Sequence, residues 1–203
     1  NVHLDVRNRN NLALPSEETQ EGRNVGALLG RKIDLSVKDG KISLVDSAEL
    51  EAFYRLMGIN AKEDKRKLWQ DLQSVIRARA ENLGLDSAHR QLPDGLCAMH
   101  FGDESISDLG FDYAAPYGVN LSSRKFFVNL RHLVYIPLGP REVDFIFGVS
   151  HEAMHQITGQ GDQLHGILNP QDARILATGE IGGIVVTEYS ESFLEEFRQT
   201  VMA

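Results

Sequence analysis

The chain has 203 residues, with 21 Lys and Arg against 29 Asp and Glu, a formal net charge of −8, and 42% hydrophobic residues. One domain with a sizeable buried core accounts for these values, which exclude repeat arrays, collagen-like chains and fully disordered tails. The acidic balance argues against a nucleic-acid-binding domain, since phosphate contacts need a basic surface, and inclines the chain toward a basic protein as partner or substrate.

The start, NVHLDVRNRN, has neither the basic residues nor the apolar stretch of an export signal, and a leader trimmed ahead of Asn1 would leave the destination open. Residues 1–30 lack a sustained apolar period and are expected to form an arm or a loosely docked segment. In RKIDLSVKDGKISLV, Ile33, Leu35 and Val37 alternate with polar residues, Asp39-Gly40 supplies a two-residue turn, and Ile42 and Leu44 resume the alternation. This pattern predicts a β-hairpin.

Asp46 or Ser47 can cap a helix through Met57, with Leu50, Phe53, Tyr54 and Met57 on one side and Gly58 as its stop. A longer helix is predicted from Lys62 to Leu83, its inward face carried by Leu68, Trp69, Leu72, Val75, Ile76 and Leu83, with Gly84 at the C-terminal cap. Between residues 96 and 137 the runs LCAMHF, YGVNL, KFFVNL and LVYIPL are short and β-prone and suggest a small sheet. Cys97, the single cysteine, has no partner for an intramolecular disulfide and is read as a small buried hydrophobe. His100 is read as a core or edge histidine, and His3, His89 and His132 have no partners at metal-ligand spacing. The stretch YAAPYGVNL could offer an edge to an extended peptide.

Gly139-Pro140 opens the next predicted helix, with Val143, Ile146, Ala153 and Ile157 facing inward up to Gly159. Asn169-Pro170 is read as the cap and first position of a helix over 171–179, and Phe193, Leu194, Phe197 and Val201 mark a last helix. No apolar run approaches the roughly 18 to 20 residues of a membrane-spanning helix, so no membrane partner is expected.

The helix ending at Gly159 contains His151-Glu152-Ala153-Met154-His155, an HExxH sequence. Histidines four apart share one helix face, so both imidazoles can reach a single zinc ion, with Glu152 beside them as base for an activated water. A catalytic zinc needs a third protein ligand. Asp162 ranks first, because Gly159 can end the helix at positive φ and fold the carboxylate back; His165, Glu180 and Glu188 are the alternatives.

HEAMHQITGQGD resembles the HExxHxxTGxxD pattern of the NleC-like zinc metalloproteases, effectors injected by enteric bacteria into host cells, at His151, Glu152, His155, Thr158, Gly159 and Asp162. The stretch GGIVVTEYSESFLEE is loosely similar to effector proteases of the PipA, GogA and GtgA group. The resemblance implies a single α+β, compact zincin-like domain spanning the chain, with a small mixed sheet and an HExxH active-site helix. It implies one zinc ion held by His151, His155 and Asp162, Glu152 as catalytic base, and a downstream tyrosine near the metal, for which Tyr189 is the nearest candidate. It further implies secretion by bacteria, action in the host cytosol, and cleavage of host signalling proteins such as NF-κB subunits, whose basic surfaces suit an acidic enzyme; separately, a monomer is expected. Two rival expectations are a zinc protease with Glu180 or Glu188 as third ligand, and a non-catalytic acidic module that captures a basic partner.

Overall fold

The hairpin forms where the alternation requires it. In the computed structural model, which describes residues 13–103, 116–135, 140–178, 180–181 and 184–185, strands β1 (Lys32–Lys38) and β2 (Lys41–Leu44) pair antiparallel through Val37 opposite Ile42 and Lys38 opposite Lys41. Asp39 and Gly40 both take positive φ, 51° and 77°, the conformation that a tight hairpin turn demands. Ile33, Leu35 and Val37 point inward while Lys32, Asp34 and Lys38 remain exposed.

Three further strands complete a mixed sheet in the order β2-β1-β3-β5-β4, with β3 at Gly95–Gly102, β4 at Tyr117–Asn120 and β5 at Lys125–Asn129. β1 is antiparallel to β3, β3 is parallel to β5, and β4 lies antiparallel to β5 on the edge. Cys97 is buried in β3 beside Met99 and Phe101, in keeping with a small core residue.

Helices cover the apolar side. α1 (Gln20–Leu28), α2 (Ala48–Met57) and α3 (Lys62–Asn82) precede β3, while α4 (Leu130–Val134), α5 (Arg141–Thr158) and α6 (His165–Thr178) come after β5. Ser47 caps α2 by accepting a hydrogen bond from the Leu50 amide, and Gly58 ends it at φ 74°. Phe53 of α2 lies with its ring centroid 5.5 Å from Phe101 of β3 and 5.1 Å from Phe145 of α5, and Trp69 of α3 meets Phe145 edge-on at 5.9 Å. This aromatic cluster joins sheet, α2, α3 and α5 in one core, and ring pairs at such distances add about 0.5–1.5 kcal/mol each beyond the burial of their surface.

Three segments differ from the sequence expectation. Part of the presumed arm is α1, capped by Thr19 and docked through Val25 and Leu28, which are 2% and 0% exposed. Its few apolar positions are too sparse to show a period, and tertiary burial rather than propensity holds it. The run LVYIPL begins inside α4 instead of a strand, because the Asn129 side chain accepts from the Arg131 and His132 amides and so starts a helix. Pro170 lies within α6, not at its start. The helix begins earlier because Leu164 and Leu168, at 3% and 0% exposure, bury the turns ahead of the proline and offset the backbone bond it cannot donate. The short strands β6 (Glu180–Ile181) and β7 (Ile184–Val185) pair antiparallel; the proposed last helix and Tyr189 lie outside the described residues.

The chain is therefore an α+β fold with a small five-stranded mixed sheet. Among the described residues no helix is long and apolar enough to cross a membrane.

Candidate metal centre

α5 carries His151 and His155 one turn apart, and its own termination steers the chain back toward them. Gly159 takes φ 68° as the C-terminal cap, and its amide donates to the His155 carbonyl at 2.9 Å. The chain then turns through Gln160 and Gly161 into a 3-10 turn at Asp162–Leu164, which drives Leu164 into the core. Because Leu164 is anchored inward, the next residue, His165, arrives beside the two α5 histidines at the start of α6.

The three imidazoles meet through the same atom. His151 Nε2 and His155 Nε2 are 3.3 Å apart, His151 Nε2 and His165 Nε2 are 3.3 Å apart, and His155 Nε2 and His165 Nε2 are 3.1 Å apart. The outward nitrogens of the first two have acceptors: His155 Nδ1 lies 2.8 Å from the Gln160 carbonyl, and His151 Nδ1 lies 2.8 Å from Asp172 Oδ2. A carbonyl or carboxylate can only accept here, so each of these Nδ1 atoms is placed to donate an N–H. Three ring nitrogens thus converge on one point, an arrangement that a cation among them would satisfy. The three histidines are close enough to hold one metal ion.

Asp162 is placed elsewhere. Its carboxylate is fully exposed, with Oδ1 3.9 Å from His165 Nδ1, on the outer side of that ring. The geometry thus brings His165, rather than the first-ranked Asp162, to the HExxH pair, because the buried Leu164 sets the phase of the turn. Glu180 lies in β6, and Glu188 and Tyr189 fall outside the described residues.

Buried charge surrounds the site. Arg79, from α3, is 0% exposed and pairs with Asp172 of α6 through its Nη2. Burial alone would push the Asp172 carboxyl up, but the Arg79 charge and the His151 hydrogen bond outweigh it and hold the group below its ordinary range. Burial keeps the His155 and His165 imidazoles below their usual value, favouring the neutral form that ligates metals. Burial pushes the Glu152 carboxyl up to about 7, with His151 drawing it down and Asp172 raising it. A carboxyl in that range exchanges protons near neutrality, as a general base must.

A second buried polar group sits farther up the same helix. Tyr117 Oη donates to Asp144 Oδ2 at 2.7 Å, and His132 Nε2 lies 2.9 Å from that oxygen. The Tyr117 ring covers Gly148 so closely that a Cβ there would come within 2.1 Å of Cδ2. The glycine is what lets the edge strand β4 seat on α5. His132 therefore has a structural partner, and His100 has its Nε2 buried without one among the described residues.

The sequence singled out His151 and His155, which the structure brings together with the alternative His165, and named Glu152 beside them, but not Asp172 or Arg79. The available signal was the seven-residue interval between His165 and Asp172, two helical turns, obscured by the expectation that Pro170 begins the helix. Comparison with protein families, with curated proteins and with solved structures finds no match.

Proposed function

We propose that the chain is a zinc-dependent endopeptidase with a zincin-like arrangement, its metal held by His151, His155 and His165 and its base supplied by Glu152. The observation that carries this reading is the convergence of three Nε2 atoms at 3.1–3.3 Å from one another, on the helix that also carries Glu152 next to His151. A tetrahedral zinc with Zn–N distances of about 2.0–2.1 Å requires its nitrogen ligands to be about 3.3–3.4 Å apart, so the spacing fits this ion. Among the described residues three ligands converge, which would leave a fourth position for water, as in catalytic rather than structural zinc sites.

When bound, zinc supplies Lewis acidity that acidifies water and polarises a substrate carbonyl. Glu152 takes the proton from the attacking water and later delivers it to the leaving amine nitrogen. The Gln160 carbonyl and Asp172 Oδ2 lie against Nδ1 of His155 and His151, which leaves the Nε2 atoms of both rings directed at the metal position. Strand β4, at the sheet edge and packed on α5 through Tyr117, offers a template for an extended peptide. Tyr189 is a candidate oxyanion donor. The effector resemblance makes host signalling proteins with basic surfaces, NF-κB subunits first, the substrates to try.

The test is elemental analysis of protein purified without chelators or a metal-affinity tag, then cleavage assays. About one zinc per chain, lost in His155→Ala, together with peptide-bond cleavage abolished in Glu152→Ala, is expected. Full proteolytic activity in Glu152→Ala would sink the mechanism, and no zinc uptake by the unmodified protein would sink the metal centre.

A further inference from the structure

Arg79 is a fully buried cation that takes no direct part in the proposed hydrolysis. It makes four N–H contacts inside the protein: Nε donates to Gln171 Oε1 at 2.9 Å, Nη1 lies 3.3 Å from both the Phe147 carbonyl and Ser150 Oγ, and Nη2 meets Asp172 Oδ1. Gln171 in turn donates from Nε2 to the Arg79 carbonyl at 3.1 Å, so the side chain is gripped by α5 and α6 together. A buried ion pair is a poor way merely to hold helices together, since apolar residues of similar volume do so as well or better. Its orientation shows what it adds. Arg79 occupies one oxygen of Asp172 and leaves the other aimed at His151 Nδ1, 2.8 Å away.

We propose that Asp172, locked in place by Arg79, is the positioning residue of the metal centre: it fixes His151 as the Nδ1–H tautomer and thereby presents Nε2 as a ligand. The proposal rests on the metal reading for its consequence but not for its geometry. Gln160 does for His155 through a backbone carbonyl what Asp172 does for His151 through a side chain, so only the His151 arm is open to substitution. An imidazole without such a partner can place its proton on Nε2, which removes the lone pair that binds metal.

The experiment uses the full chain, metal-free and then titrated with zinc alone. Nitrogen-15 NMR of histidine-labelled protein, with His151 assigned by its loss in His151→Gln, reads the tautomer directly. The expected result is the Nδ1–H form in the wild type. In Asp172→Asn the carboxamide oxygen must face Arg79, so its NH2 faces His151 and the ring switches to the Nε2–H form. Zinc Kd measured by competition should then weaken roughly 10–100-fold, with the urea midpoint of the metal-free variant showing that it remains folded. A wild-type His151 in the Nε2–H form overturns the proposal without any variant. So does an Asp172→Asn protein that keeps both the tautomer and the zinc Kd. If the wild type takes up no zinc, the metal centre fails while the tautomer measurement still decides the role of Asp172.

Discussion

Glu152→Gln should make the metal-free protein more stable while abolishing the proposed activity of the zinc-loaded one. Folding moves this carboxyl from 4.5 to about 7, chiefly by burial. At about 1.4 kcal/mol per pH unit the displacement corresponds to no more than about 3–4 kcal/mol. The sign comes from proton counts: between these two values the folded state binds more protons than the unfolded one, so stability present below pH 4.5 is lost as pH rises through 7. Glutamine keeps the shape and cannot ionise. The difference between variant and wild type should thus be small at about pH 4.5 and approach its maximum at about pH 8. His155 and His165, whose imidazoles burial depresses, act in the opposite sense: they add stability above pH 6.5 that fades on acidification. Both proteins share these histidines, so the difference curve isolates Glu152. Urea denaturation with chelator present, at about pH 5 and about pH 8, measures it. A stability difference that is absent, or equal at both pH values, refutes the reasoning that the base is held against its own ionisation.

Four other outcomes are expected from the structure. His165→Ala should weaken zinc binding by roughly two orders of magnitude or more, on the order of one ligand's share of a site worth roughly 10–16 kcal/mol with four. Asp162→Ala should change it by less than about tenfold, because an exposed carboxylate adds little; dialysis against zinc separates the two, and equal losses would restore Asp162 as the ligand. Zinc occupancy should stay level from about pH 8 to pH 6.5 and fall only below that, since the His155 and His165 imidazoles resist protonation until the solution is more acidic than their usual value; equilibrium dialysis showing loss above about pH 7 contradicts this. Gly148→Ala should cost about 1–3 kcal/mol in urea denaturation, because the new methyl would overlap the Tyr117 ring and force β4 away from α5.

The features legible in the sequence were local. The hairpin needed Asp39 and Gly40 at positive φ, α2 needed Ser47 before it and Gly58 after it, and α5 needed Gly159 to stop; each feature is fixed within a few residues, and each stands where the pattern put it. The features that could not be read depended on partners distant along the chain. α1 has too little apolar periodicity to announce itself and exists because Val25 and Leu28 find a core. The choice between Asp162 and His165 turned on the phase of one 3-10 turn, which Leu164 sets by burying itself. Asp172 and Arg79 are separated by 93 residues, and no local rule connects a carboxylate beyond a proline with an arginine near the end of α3.

Distant partners of this kind brace α5 from two sides and divide it into two halves. The first is tied to the sheet, where Tyr117 covers Gly148 and reaches Asp144 with His132 on the same oxygen. The second is tied to α3 and α6, where Arg79 contacts Phe147 and Ser150 and holds Asp172 against His151. Positions 144, 148, 151 and 155 recur at spacings of four, three and four, so one helix face meets both braces and the candidate metal centre in succession. Buried polar groups that are fully paired resist rotation of the helix, because turning it would strand several donors and acceptors at once, each at about 1–3 kcal/mol. The orientation of His151 and His155 is therefore set by folding before any ion arrives, and the edge strand that could receive a peptide is referenced to the same helix. Preorganisation of this kind suits a catalytic site, in which ligand directions and substrate register must be fixed together.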